Sequence, residues 1–196
     1  MNVTATGPRA TRPALPAAIT DGRLIAVARG LPADRLEGIA EALRDAGVRA
    51  LEVTLDSPGA LEAVEALASH FDVRTLAIGA GTVRSREAAQ AAIAAGAGYL
   101  VAPHTDEAVV AWAAGHGVPM TPGATTPTEV LRGWQAGAAA VKLFPAGPLG
   151  PSYLKAVAGP LGDVPLIPTG GVSDANAADF LRAGAVAVGV GGSLLG

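Results

Sequence analysis

The sequence predicts a closed parallel α/β barrel of the (β/α)8, or TIM, class. Eight short apolar runs recur from residue 23 onward, and seven Ala- and Leu-rich stretches with helical spacing separate them. Strands covered by helices read as continuous apolar runs rather than alternating ones. Eight of them, alike in length, suit a closed barrel. A doubly wound open sheet is the competing architecture. No dinucleotide-binding glycine fingerprint follows the first run, which favours the barrel.

Residues 1–22 precede the first strand. They include a stretch rich in Thr, Ala and Pro, lack the apolar centre of a signal peptide, and read as an N-terminal arm or lead-in helix. Residues 23–196 then form one barrel domain. Its expected strands are 24–29, 50–55, 75–82, 99–103, 118–123, 139–145, 165–171 and 185–192. The expected helices are 33–46, 59–70, 84–95, 106–115, 127–136, 152–158 and 174–183. Gly47, Gly96 and Gly137 each follow a helix and precede a strand, the usual place for a left-handed stop. Ser85, Thr126 and Asp174 are suited to N-caps. The chain stops at Gly196, just after the eighth strand, so the eighth outer helix is expected to be missing or truncated.

Composition narrows the function. Hydrophobic residues make up 50% of the chain, charged residues 16% and aromatics 4%, with a net charge of −3. That balance fits a compact core and argues against nucleic acid as a partner. With no cysteine, disulfides and thiolate chemistry are excluded. His70, His104 and His116 share no metal-ligand spacing, so no metal site is expected. No apolar run reaches the ~18 residues of a membrane span, and a cytoplasmic location is the expectation.

The chain has two lysines, and Lys142 lies inside the apolar run Ala140-Val141-Lys142-Leu143-Phe144. Burial disfavours an ammonium, and a neutral amine at a strand end is a nucleophile for carbonyl carbon. A core lysine paired with a carboxylate is the plainer alternative. In Leu51-Glu52-Val53-Thr54-Leu55, the aliphatic residues share one face and leave Glu52 and Thr54 on the other. Glu52 is therefore either the ion-pair partner of Lys142 or a general acid/base beside it. Alternation places Ala140 and Phe144 with Lys142 inside the barrel, and Val141 and Leu143 against the helices. Arg29 ends the first strand, where its fork suits a carboxylate. Thr82 ends the third strand, at the same parity as Ile78 and Ala80, and its hydroxyl could assist there; the glycines beside it would let a ligand approach the backbone. Thr169-Gly170-Gly171 and Gly191-Gly192-Ser193 end the last two strands, where TIM barrels often cradle phosphate with backbone N–H groups.

These stretches, in order and at family-like spacing, resemble the 2-keto-3-deoxy-6-phosphogluconate (KDPG) aldolases. That family of short class I aldolases includes the 6-phosphogalactonate enzymes. The matching stretches also include Val101 to Pro103, Pro122-Gly123 and Pro168 to Val172. The resemblance implies a metal-independent, cofactor-free lyase. It would cleave the phosphogluconate substrate to pyruvate and glyceraldehyde 3-phosphate. Phosphogalactonate and 4-hydroxy-2-oxoglutarate are alternative substrates, and a non-catalytic sugar-phosphate-binding barrel is a remoter alternative function. By resemblance, Lys142 forms the Schiff base, Glu52 shuttles protons, and Arg29 and Thr82 hold the pyruvate carboxylate. Pro103, Phe144 and Thr169 shape the pocket. Gly170, Gly171, Gly192 and Ser193 hold phosphate, and the protein is a homotrimer. Asp56 stands where many gluconate-cleaving members carry arginine, which looks more like the galactonate branch. Pro168-Thr169-Gly170-Gly171 looks like the gluconate branch.

Overall fold

The computed structural model describes residues 12–195, so residues 1–11 of the expected arm lie outside the described residues. A short helix α1 (Ala17–Gly22) leads into β1 (Leu24–Ala28). Then follow α2 (Ala33–Asp45), β2 (Ala50–Thr54), α3 (Ala60–His70), β3 (Ala77–Gly81), α4 (Arg86–Ala94), β4 (Leu100–Val101) and α5 (Glu107–Gly115). The second half comprises β5 (Met120–Thr121), β6 (Gly123–Ala124), α6 (Pro127–Gln135), β7 (Val141–Leu143), α7 (Gly150–Ala158), β8 (Leu166–Pro168), α8 (Ala177–Arg182), β9 (Val188–Val190) and α9 (Gly192–Leu195).

The strands are parallel and pair in two ladders, β5-β4-β3-β2-β1-β9 and β6-β7-β8. A parallel bridge between Thr169 and Gly189 joins the last two staves. The run expected as one fifth strand is two short pieces around Pro122. Proline has no N–H to donate, so the ladder changes partner there. β5 pairs with β4, and β6 pairs with β7. The Pro122 carbonyl still accepts from the Lys142 amide at 2.8 Å. The circuit is a curled eight-stave α/β barrel, the expected (β/α)8 class.

Alternation divides the apolar residues into two clusters. The inner one gathers Ile25, Val27, Ala50, Ala77, Tyr99, Val101, Ala140, Ile167 and Ala187. Ile19 of α1 joins it at 1% exposure, so the lead-in helix plugs the end of the barrel from which the strands start. The outer cluster, between strands and helices, includes Leu51, Val53, Ile78, Ala80, Val141, Leu143, Leu166 and Val188.

The helices end as expected at Gly47, Gly96 and Gly137, with φ of 90°, 94° and 109°. Ser85 caps α4 by accepting from the Ala88 amide. Thr126 and Glu129 close a capping box on α6, with Pro127 at its first turn. Asp174 is not a cap: α8 begins at Ala177, after Asn176. The Asn176 side chain is used by the preceding turn, accepting from the Ser173 amide and donating to the Gly171 carbonyl. Among the described residues no helix is long and apolar enough to cross a membrane.

Candidate active site

The carboxyl ends of the strands bring most of the expected site residues to one cleft of about 360 Å³. Arg29, Lys142, Phe144, Thr169, Gly170, Gly171, Gly192 and Ser193 line it. β7 sends Lys142 inward, with Ala140 in the inner cluster and Val141 and Leu143 in the outer one. Lys142 is 4% exposed and Glu52 2%. Nζ stands 4.0 Å from Glu52 Oε1, and 5.1 Å from the centre of the Phe144 ring, whose face attracts a cation. Glu52 lies against Lys142, beneath the cleft rather than on its wall.

Two glycines make room for Glu52 and for Tyr99. A β-carbon on Gly81 would stand 1.9 Å from Glu52 Oε1, and one on Gly79 would stand 2.3 Å from the Tyr99 ring. The space beside the β3 backbone, expected to admit a ligand, is therefore filled by these two side chains. Glu52 Oε1 and the Tyr99 hydroxyl are both buried without a hydrogen-bond partner among the described residues. Burial and the nearby Glu52 carboxylate push the Tyr99 phenol well above its ordinary pKa. Tyr99 thus joins the site although nothing in its run singles it out: an aromatic in an apolar strand is ordinary core.

Thr82 departs from the strand pattern. Ile78 and Ala80, which share its parity, face the outer core. Thr82 turns back by adopting φ 57°, a conformation rare for a β-branched residue. Its Oγ1 thereby accepts from Arg29 Nη2 at 3.1 Å. Arg29 Nη1 donates to Asp56 Oδ2. Burial pushes the Asp56 carboxyl up, but hydrogen bonding with Thr54 and the Arg29 charge outweigh it, and the group sits below its ordinary pKa. Ser57 fastens the same corner, its Oγ accepting from the Gly30 amide at 2.8 Å and standing 3.0 Å from Thr54 Oγ1.

Asp56 and Thr82 line a neighbouring cleft of about 540 Å³ with Arg84, Ser85 and His104. Pro103 lies on neither; it lines a third hollow with Gly123. A β-carbon on Gly123 would come within 2.4 Å of the Pro103 carbonyl, so bare backbone lets these staves approach.

Gly170 and Gly171 both take φ 80°. A β-carbon on Gly170 would meet the Phe144 ring at 2.8 Å, and one on Gly171 would meet Gly147 Cα at 2.8 Å. The two glycines are thus required by conformation and by close packing at once. Ser193 donates from Oγ to the Val172 carbonyl at 3.3 Å, linking the two glycine-rich strand ends. His70 pairs with Glu37 and Glu41, and His116 contacts the Trp112 carbonyl. Among the described residues no group of three or more His, Cys, Asp or Glu could hold a metal ion.

A buried amine against a buried carboxylate at the mouth of a (β/α)8 barrel is an arrangement chemically suited to attack on a carbonyl. The comparisons give the family. The family model for KDPG and KHG aldolases matches residues 15–196. The chain is 38% identical over 172 residues to the probable 2-dehydro-3-deoxy-6-phosphogalactonate aldolase of Rhizobium meliloti, covering 87% of this chain and 81% of that one. It is 40% identical over 144 residues to the 2-dehydro-3-deoxy-phosphogluconate aldolase of Treponema pallidum, covering 73% and 68%. Among solved structures, native KDPGal superposes with a TM-score of 0.82 at 35% identity, over 86% of this chain and 82% of that one. Legionella pneumophila KDPG aldolase, with pyruvate captured as a covalent carbinolamine intermediate, gives 0.81 at 32%, over 91% and 86%. The chain belongs to the KDPG and KHG aldolase family and is an aldolase, a lyase.

Proposed function

We propose that this aldolase cleaves 2-keto-3-deoxy-6-phosphogluconate to pyruvate and glyceraldehyde 3-phosphate, with Lys142 as the Schiff-base nucleophile. The observation that carries this reading is the Lys142 amine, 4% exposed, on the wall of the cleft and 4.0 Å from Glu52. Lys142 attacks the C2 ketone, and the carbinolamine loses water to an iminium. Glu52, off the cleft wall, takes the proton from the C4 hydroxyl through a bridging water. The C3–C4 bond breaks, and its electron pair moves towards the iminium nitrogen to leave an enamine. Glyceraldehyde 3-phosphate departs, C3 takes a proton, and hydrolysis frees pyruvate and Lys142. Splitting one carbon–carbon cleavage into covalent steps lowers the largest barrier. The iminium is the electron sink, so the route uses neither metal nor cofactor.

Arg29 holds the carboxylate in this reading, with Thr82 bracing its guanidinium from the neighbouring cleft, and Phe144 and Thr169 flank the reacting chain. The Gly170, Gly171, Gly192 and Ser193 backbone receives the phosphate. Pro103 stands back from the reacting atoms and shapes the adjoining wall. The relatives named above include both phosphogalactonate and phosphogluconate aldolases. Galactonate cleavage is therefore the second reading, favoured by Asp56 beside Arg29; 4-hydroxy-2-oxoglutarate is a further substrate to assay. The same reading carries a cytoplasmic homotrimer, which sedimentation equilibrium tests.

Borohydride added with pyruvate is expected to leave a reduced adduct on Lys142, located by peptide mass spectrometry. Lys142→Met is expected to abolish both adduct and cleavage while keeping the parental circular dichroism spectrum. An active parent with Lys142 unmodified rules the mechanism out. Parallel rates on the two phosphorylated epimers decide between them.

A further inference from the structure

We propose that Asp56 is the positioning residue for Arg29, holding the guanidinium in the orientation that receives the substrate carboxylate. The inference rests on the Schiff-base reading above and adds a residue to it. Arg29 is the last side chain of its run and extends past β1 into the mouth, where an arginine left to itself samples many rotamers. Here both of its terminal nitrogens are engaged from one side, Nη1 by Asp56 and Nη2 by Thr82. The side chains of Arg29 and Asp56 are 52% and 39% exposed, and such pairs add little to folding. The pair's consequence is geometric.

Arg29 lines the Lys142 cleft, while Asp56 and Thr82 line the neighbouring one. Arg29 is on the wall of the Lys142 cleft alone, and the two side chains that tether its guanidinium belong to the neighbouring one, so the tether leaves the near side, towards Lys142, to a ligand. Ser57, next in sequence to Asp56, accepts from the Gly30 amide, so one short loop fixes both the backbone and the head group of the arginine. Without Asp56, Thr82 alone restrains Arg29, and the side chain gains the neighbouring cleft as an alternative. A carboxylate arriving at the near side then has to recruit a mobile cation, which raises the concentration needed to bind without altering the amine chemistry.

The test is borohydride trapping on Lys142 across a pyruvate titration, in the full chain and in Asp56→Ala and Asp56→Asn. For Asp56→Ala, half-saturating pyruvate is expected to rise about tenfold, with the plateau within about twofold of the parent. Asp56→Asn keeps an oxygen that accepts the same bond and is expected to return half-saturation to within about threefold. Methyl pyruvate has no carboxylate charge, and its half-saturation is expected to be the same in parent and Asp56→Ala. Unmoved or lower half-saturation in Asp56→Ala, no rescue by asparagine, or an equal loss with methyl pyruvate each overturns the assignment. A parent with no adduct on Lys142 removes the Schiff-base reading and this inference together; an adduct with unmoved half-saturation removes this inference alone.

Discussion

Glu52 owes its place to an absence across the ladder, since no β-carbon stands at Gly81. Gly81→Ala is expected to displace the carboxylate from Lys142. Turnover should fall at least about tenfold and stability by about 1–3 kcal/mol, the usual cost of overpacking, as read by steady-state rates and chemical denaturation. Glu52→Gln keeps the shape and removes the proton acceptor. It is expected to slow cleavage by about 10²-fold or more, while pyruvate remains trappable on Lys142. Unchanged turnover would remove Glu52 from proton transfer. At this scale the sequence is most readable where a residue contradicts its surroundings: Lys142 and Glu52 are ionisable side chains in aliphatic strands. Tyr99 and Gly81 contradict nothing locally, because their meaning comes from the register that sets Glu52 opposite Gly79. Strand parity points Thr82 outward, and only its positive φ brings its hydroxyl to Arg29.

Helix ends were legible because capping is local chemistry. Thr126 and Glu129 are three residues apart and satisfy each other's neighbouring amides whatever the rest of the chain does. Thr126→Ala is expected to cost about 1 kcal/mol, lowering the melting temperature by about 2–4 °C in a domain of this size, as calorimetry would show. Asp174 suits an N-cap by residue type, yet α8 starts only at Ala177, because Asn176 spends its side chain on the turn before the helix. The division of the fifth stave is likewise not legible in the sequence. An apolar run around Pro122 has strand composition, but the missing N–H acts only when two different neighbours compete for the ladder. The barrel survives because β6 carries the pairing on to β7.

Over the whole molecule, acidic groups tie stability to pH. Glu129 is held below its ordinary pKa by the Thr125 and Thr126 amides, with the Thr126 hydroxyl and Arg132 assisting against burial. Asp72 is depressed too, chiefly by hydrogen bonding to the Arg74 side chain. A carboxyl whose folded pKa lies below its unfolded value binds fewer protons when folded. Its contribution is complete above the unfolded pKa and disappears as pH falls through the folded one. Unfolding free energy is therefore expected to decline below about pH 5. Glu129→Gln should flatten that decline, measured by urea unfolding from pH 7 to pH 3; an identical slope would contradict the assignment.

The glycines of β3 carry a consequence for redesign. The floor beneath Lys142 is already occupied by an acid and a phenol pressed against bare main chain. Enlarging or recolouring that floor would evict one of them. Changes meant to alter what the cleft admits are thus better placed at its rim, at a position such as Thr169, where a new side chain can meet a ligand and leave the amine undisturbed.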